Sequence, residues 1–452
     1  MNVIIAGCGK IGTAVAESMV REGHDVTVID VDKDCVDNLL NIYDVIGVYG
    51  NAADSDTLLE AGVADAELFI AATDSDELNM ISCLFARRLG AKHTVARVRK
   101  TDYNDSSLGF VRQQLELSMT INPEMTAARE MFNILKLPSA IKIETFANRN
   151  FEMVEFRLKK DSAFHGQRLS ALRDKFRGAF LVCTVQRGDD VFIPDGNFTL
   201  FDGDKIGITA TPAEIQKLFK QMNILQKQAR NIMILGGSRT AYYLAKRQDS
   251  IGYTVKIIEQ DRSRCEEIAQ LLPACSVVCG DGAQQEFLLE EGLRSMDAFV
   301  ALTGMDEENI LLSCFASSLN VPKVISKVNR AELKGLAERL GLETIISPKH
   351  SVAEVVTRYA RAIQNSSGSN VETLYKIADG KAEALEFKVR PEFVGAGISL
   401  RELQLKPNTL IAGIVRGRKT FIPSGADAIL PGDKVIVIAS GKRMNDLADI
   451  LV

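Results

Sequence analysis

The chain has 452 residues, a formal net charge of −5, 46% hydrophobic residues and 25% charged ones. At roughly 100 to 200 residues per domain this length means several domains of ordinary globular composition, and the mild acidic excess argues against a nucleic-acid partner. No run of about 18 apolar residues is present and Met1 leads straight into a strand pattern, so neither a membrane span nor a signal peptide is expected and the chain is expected in the cytosol.

In chain order, Val3 to Ala6 form a continuous apolar stretch of the kind buried on both faces of a parallel sheet. It breaks into Gly7, Gly9 and Gly12, and Val15, Met19 and Val20 then recur at helical intervals. This is strand, tight turn, helix with Gly-x-Gly-x-x-Gly spacing. The first glycine permits the turn, the second admits a pyrophosphate to the backbone, and the third lets helix and strand pack closely. The phosphate would meet the free N–H groups at the helix start. "DVTVID" reads as the next strand and ends in Asp30, at close to the roughly 20-residue spacing of a ribose-binding carboxylate. A carboxylate there repels a 2′-phosphate, so NAD is favoured over NADP. Further strands are expected at Val45–Tyr49, Leu68–Ala72 and Thr94–Val98, with "GNAAD" and "ATDSDEL" at strand ends, where ligands bind in open α/β sheets. A helical connector, "NPEMTAAREMFNIL", follows, and then short alternating segments such as "FEMVEFRL" and "KIGITA" between Gly, Pro and Asp turns.

The plan is then repeated. "NIMILGGSRTAYYLAKRQDSIGYTVKIIEQD" follows the N-terminal stretch at a constant spacing, with Gly7 matching Gly236 and Asp30 matching Glu259. "FIAATDSDELN" matches "FVALTGMDEEN", and "VFIPDGNFTLFDGDKIGI" matches "TFIPSGADAILPGDKVIV". A second connector, "SPKHSVAEVVTRYARAI", runs into "NSSGSN", which reads as a flexible stretch. The expected fold is α/β: two tandem Rossmann-like doubly wound parallel-sheet domains, each followed by a small α+β module, with units at 1–135, 136–225, 226–365 and 366–452. The eight cysteines contain no C-x-x-C pair and read as buried reduced thiols, Cys275 and Cys279 being the closest pair. The four histidines show no metal-ligand spacing, and no metal site is expected.

The tandem order of glycine-rich sheet domain, "TDSDELN" strand end, connector and module with "IP…GD" resembles the RCK (KTN) regulators of potassium channels and transporters across essentially the whole chain. The resemblance implies a cytoplasmic regulator peripheral to the inner face of the membrane. It would bind NAD(H), with ATP or ADP as further ligands, assemble as a ring of four identical chains, and control an integral membrane potassium-transport subunit without entering the membrane itself.

The loop Gly7, Cys8, Gly9, Lys10, Ile11 and Gly12 is the expected phosphate cradle, with Lys10 either adding charge to it or solvated. Asp30 is the candidate for the ribose hydroxyls, and Asn51, Thr73 and Asp74 are the adenosine-side candidates. By resemblance Arg97 reaches the ligand phosphates, the alternative being an ion pair with a nearby carboxylate; Arg99 is a weaker candidate on the same strand face. In the second copy Gly236 and Gly237 remain, Ser238 and Ala241 replace the second and third glycines, and Glu259, Asp281 and Lys327 stand for Asp30, Asn51 and Arg97. Serine at the second glycine place crowds the phosphate approach, so this site reads as nucleotide-shaped but altered. No positioned acid or base accompanies the cradle: His93 reads as a surface residue, and the repeat puts Val394 where His165 stands. A regulatory role is therefore expected, the alternative being an NAD-dependent dehydrogenase. The chain should bind NAD(H) more tightly than NADP(H), with Asp30→Ala narrowing the difference. Calorimetric titration checks both, and equal or tighter NADP(H) binding contradicts the assignment.

Overall fold

The computed structural model describes all residues except 101–104, 147–150, 177–179, 248–251, 367–370, 442–443 and 445. The N-terminal run is β1 (Asn2–Ala6), followed by α1 (Lys10–Arg21), β2 (Asp25–Asp30), α2 (Lys33–Ile42), β3 (Ile46–Tyr49) and α3 (Ser55–Glu60). After these come β4 (Leu68–Ala71), α4 (Asp76–Leu89), β5 (His93–Arg97), α5 (Asp105–Gln114), β6 (Met119–Ile121) and α6 (Pro123–Lys136). The six strands form one parallel sheet in the order β3-β2-β1-β4-β5-β6. β1 is central, and its two faces feed two cores, Val3 and Ile5 packing on one side and Ile4 and Ala6 on the other. That is why it reads as an unbroken apolar run.

The second copy repeats this sheet with strands Asn231–Leu235, Thr254–Glu259, Ser276–Cys279, Ala298–Ala301, Lys323–Lys327 and Ile345–Ile346 in the same spatial order. Each small module is a five-stranded antiparallel sheet, centred on Lys205–Ala210 in the first and on Lys434–Ser440 in the second. The "GD" signature has a structural cause. Asp204 is almost fully buried and accepts both arms of the Arg187 guanidinium at 2.8 Å together with the Phe201 N–H. Asp433, Arg416 and Leu430 repeat the arrangement. A bidentate pair of this kind fixes a turn in a way one lysine would not.

The connectors do not stay with the copy that precedes them. α6 begins at an Asn122 side-chain cap followed by Pro123, a favourable helix start. Its apolar face, Ala127, Ala128, Met131, Phe132 and Leu135, packs on Ile232, Tyr242, Val255 and Ile257 of the second copy's sheet domain. In return the helix Pro348–Ser366 lays Val352, Ala353, Val356 and Ala360 against Ala14, Val15 and Met19 of the first. Burial of each large side chain contributes about 2 kcal/mol, so the exchange ties the two halves together. Asn365 and Ser366 of the "NSSGSN" stretch complete that helix, and the rest of it lies outside the described residues.

Ion pairs reinforce the exchange. Buried Arg361 donates to Glu22 at the end of α1 at 2.7 Å and forks onto Glu383 of the second module at 2.8 and 3.1 Å, while Lys376 reaches Glu22 at 3.0 Å. On the other side Lys205 bonds Glu155 and Asp379, and Lys334 of the second sheet domain holds Asp379 at 3.0 Å. The two modules also share a core, Phe146, Phe151 and Met153 meeting Ile377, Ala384 and Ile436.

Where α6 meets the helix Pro348–Ser366, Glu130 accepts from the Ser351 hydroxyl at 2.8 Å and lines a cavity of about 430 Å³. Burial pushes its carboxyl up to about 7, Glu354 and Glu144 adding to the rise and Lys142 opposing it. An acid whose pKa is raised by folding keeps its proton in the folded state between about 4.5 and about 7 while the unfolded chain has lost it. Its contribution to stability therefore falls as pH rises through that window, by at most about 1.4 kcal/mol per pH unit. Glu130→Gln should remove this slope. Melting midpoints of the two proteins from pH 5 to pH 8 check it, and parallel curves contradict it.

Candidate nucleotide site

The cradle at the start of α1 has the features a pyrophosphate needs. Gly7 has φ +99°, and a Cβ on it would meet the Ala72 carbonyl carbon at 2.8 Å. A Cβ on Gly12 would lie 1.7 Å from the Gly7 oxygen, so the third glycine is demanded by packing alone. Gly9, by contrast, has nothing within 4 Å of where a Cβ would sit, and no side chain caps the helix it precedes. Open space against an uncapped helix N-terminus fits an anionic group. Asp30 stands beside it, taking the Cys8 N–H at 2.5 Å and the Asp32 N–H at 3.0 Å, one on each oxygen. Each carboxylate oxygen keeps a further lone pair for a ribose hydroxyl. The Cys8 thiol, pushed up to about 12 by burial and then by Asp30, is inert. Lys10 begins α1 and is exposed, and Ile11 is turned into the core.

The remaining candidates line the ends of β3, β4 and β5. Asn51 accepts the Ala53 N–H and shapes its own turn. Thr73 is engaged through both its N–H and its hydroxyl by Asn79, at 2.8 and 2.7 Å, and Asn79 also donates to the carbonyls of Thr73 and Arg97. Fully buried Asn79 thus ties the β4 and β5 strand ends together, a role hidden from sequence reading although the repeat preserves the residue as Asn309. Arg97 is buried, donates to the Ala72 carbonyl at 3.0 Å and lies 3.6 Å from fully exposed Asp74. Its Nε has no partner, and burial lowers its pKa. The ion pair weighed against a phosphate contact is therefore present, and the Nε–H is left without a partner. β5 ends at Arg97, so Arg99 lies beyond the strand, with its guanidinium on the Asp74 carbonyl at 2.7 Å.

The second cradle keeps the frame and changes the lining. Gly236 has φ +92°, and Glu259 takes the N–H groups of Gly237 and Asp261 at 2.6 and 2.9 Å, as Asp30 does in the first. Ser238, in the place of Gly9, caps its own helix by accepting from the Ala241 N–H. Arg264 lies across the loop, donating to the Gly237 carbonyl at 2.7 Å, where the first copy has Cys35. Asp281 accepts from Ala283 and Gln284, and Lys327 reaches the Leu302 carbonyl at 3.3 Å in the manner of Arg97. The two strand ends face one another across the start of α6. Tyr243 donates to the Arg99 carbonyl and accepts from Asn122, and the charge of Glu124 acts on both Arg97 and Lys327. Neither Glu124 nor Tyr243 carries a motif that would have marked it in the sequence.

The histidines stand apart from this arrangement, whereas Cys8 belongs to the first loop and Cys35 lies beside it. His93 is half-buried beside the Tyr359 hydroxyl at 3.4 Å rather than free on the surface, and His165 accepts the Asp202 N–H at 3.0 Å. Cys279 is exposed and Cys35, Cys275 and Cys314 are half-buried, so the expectation of uniformly buried thiols fails: Ser276–Cys279 is an edge strand, open on its outer side. Among the described residues no group of His, Cys, Asp and Glu is placed to hold a metal ion, and no helix is long and apolar enough to cross a membrane.

Comparison with known proteins agrees with this architecture. The TrkA-N domain family matches residues 3–111 and 232–348, and the TrkA-C domain family matches 153–223 and 385–452. The Trk system potassium uptake protein TrkA homolog of Archaeoglobus fulgidus is 31% identical over 100% of both chains, and the Trk system potassium uptake protein TrkA of Vibrio alginolyticus is 29% identical over 98% of this chain and 96% of its own. The solved GsuK channel bound to NAD superposes with a TM-score of 0.62 at 17% identity, covering 97% of this chain and 77% of that one, and so shares the fold. Two sheet domains and two modules, each matched in turn, and end-to-end identity with such relatives place the chain in the TrkA family of Trk system potassium uptake proteins.

Proposed function

We propose that the chain is the nucleotide-binding regulatory subunit of a potassium-uptake system. It would sit at the cytoplasmic face of the membrane on an integral membrane potassium-transport subunit, with NAD(H) bound in the first copy as its signal. The observation that carries this reading is the open space at Gly9 against the uncapped start of α1, flanked by Asp30, in a chain of this family. Gly7, Gly9 and Gly12 would receive the pyrophosphate, Asp30 the ribose, and the strand ends at Asn51, Thr73 and Arg97 would close the site. The ligand supplies a charge and, through its nicotinamide, a redox state. The protein supplies two conformations with different affinity for it, and a tenfold bias between ligands needs only about 1.4 kcal/mol of differential binding. ATP and ADP are the competing ligands, above all for the second cradle, where Ser238 and Arg264 change the lining. The chain catalyses no nicotinamide reaction in this reading: among the described residues the carboxylates at the cradle, Asp30 and Asp32, hold backbone N–H groups, and His93 and His165 are engaged elsewhere. The units 1–135, 136–225, 226–365 and 366–452 are its working parts.

Ring assembly is supported by matching apolar faces on the outside of the two copies. Ile81, Phe85 and Phe110 are exposed on α4 and α5, and in the second copy Leu311 and Leu336 lie on the corresponding helices, with Leu340 just past the end of the latter. Two equivalent faces per chain allow head-to-tail contacts that close by symmetry, four chains giving eight copies. Combining Ile81→Glu with Leu311→Glu should reduce the assembled species to single chains in light scattering, and an unchanged mass contradicts this use of the faces.

The role itself is tested with Gly12→Asp, which places a carboxylate where the helix start would receive phosphate. Because even a Cβ there meets the Gly7 oxygen, Gly9→Asp, which has room, serves as the companion variant. Both should abolish NAD(H) binding, and potassium uptake in cells carrying Gly9→Asp should stop responding to nucleotide. Ala241→Asp in the second cradle should have the smaller effect. A folded, assembled Gly9→Asp protein that binds no nucleotide yet supports fully regulated uptake contradicts the proposal.

A further inference from the structure

Away from both cradles, a cleft of about 790 Å³ opens where α6, the helix Pro348–Ser366 and the two modules meet. Arg129 enters it from α6 and Arg358 from the second helix. Neither guanidinium makes a hydrogen bond or an ion pair among the described residues. Arg358 lies over the ring of Tyr375, 5.0 Å from its centre, and both arginines act on the Tyr375 phenol, whose hydroxyl donates to the Thr145 carbonyl at 2.7 Å. One guanidinium thus lies on the ring, and the second, from a different helix, is near enough to act on the same phenol.

The carboxylates of the cleft do not answer them. Glu386 is engaged by Lys434 at 3.3 Å and Glu144 by Lys142 at 3.1 Å, Arg358 acting on Glu144 only at longer range. The third, Glu152, has Lys136 as the charge acting on it, and Lys136 and Arg247 both lie over the Phe132 ring. Cations therefore outnumber acids around the cleft.

We infer that Arg129 and Arg358 form a site for a phosphate-bearing anion that bridges the two exchanged helices. Guanidinium forks grip phosphate oxygens two at a time, which a single ammonium does not, and an anion between them relieves the repulsion of two unpaired like charges. Phe132 is covered by Lys136 and Arg247 and Tyr375 carries Arg358, so a base attached to the phosphates would stack on a guanidinium plane rather than on the rings themselves. The shared chemistry is a chain of phosphates, carried by a nucleoside polyphosphate or free. Because α6 packs on one sheet domain and the helix Pro348–Ser366 on the other, an anion held by both would fix the angle at which the halves meet.

The test is calorimetric titration of the full-length chain with inorganic pyrophosphate and, separately, with ATP, in wild type, Arg129→Gln, Arg358→Gln and the double variant. Pyrophosphate should bind the wild type, each single variant should weaken it about tenfold or more, and the double variant should abolish it with only a small change in melting temperature, because neither side chain makes a hydrogen bond or ion pair and only the Arg358 contact with the Tyr375 ring is lost. Arg358→Lys should also lose affinity, since it keeps the charge and loses the fork. The ATP binding that disappears in the double variant identifies the source: tighter than pyrophosphate means a nucleotide whose base also binds in the cleft, equal means a free phosphate chain. Absence of pyrophosphate binding to the wild type, or the same affinity in the wild type and the double variant, overturns the inference.

Discussion

The exchange of connector helices is the constraint on which the rest of the molecule depends. An amphipathic helix must bury its apolar face, and α6 finds its partner surface in the second copy while the helix Pro348–Ser366 finds its own in the first. Each sheet domain is covered in part by its own helices, and the other half of the chain completes the cover. Duplication within one polypeptide therefore does more than double the number of sites: it makes the geometry of one half a boundary condition for the other.

That boundary condition gives nucleotide binding a route to the modules. The cradle is the N-terminal end of α1. The side of α1 receives the helix Pro348–Ser366, with Ser18 and Thr357 hydroxyls 2.7 Å apart, and its C-terminal end presents Glu22 to Arg361 and Lys376. Arg361 in turn holds Glu383 in the second module. Removing one member of such a buried network leaves an unpaired charge at a cost of about 3 to 5 kcal/mol, so the groups along this route move together. The second cradle starts a parallel route through α6, which packs on the helix Arg239–Ala245. With Ser238 capping that helix and Arg264 across its loop, the two routes begin from unlike sites. Under the proposed function, a chain with one unaltered and one altered cradle would weigh two ligands against each other.

Much of this was legible in the residues because local rules and the fold agree. The run Val3 to Ala6 announces a strand buried on both sides, the glycines announce a turn with a close approach, and the repeat announces two copies. Gly12 and Asp30 take the places their spacing implies. What stayed hidden involves pairing at a distance. Helical periodicity shows that α6 buries a face but not against what, and here the answer lies in the other copy. β6 is three residues long, too short to display a pattern. "GD" is visible as a signature, whereas Arg187, which makes it necessary, is an unremarkable strand-end residue. Asn79, Glu124 and Arg264 act through backbone atoms or charges that only the fold brings near, and Cys279 is exposed because its strand falls at the edge of the sheet.

Hydrogen exchange with and without NADH, followed peptide by peptide in the full-length chain, tests the coupling most directly. If the cradle, α1, the exchanged helix and the second module form one mechanical unit, NADH slows exchange not only at Gly7–Gly12 and Asp30 but also along the helix Pro348–Ser366 and in the strand Ala382–Lys388, and Gly9→Asp abolishes all of it. Protection confined to the loop and β2, with the exchanged helix and the module unaffected by bound NADH, would show that the route does not carry the signal.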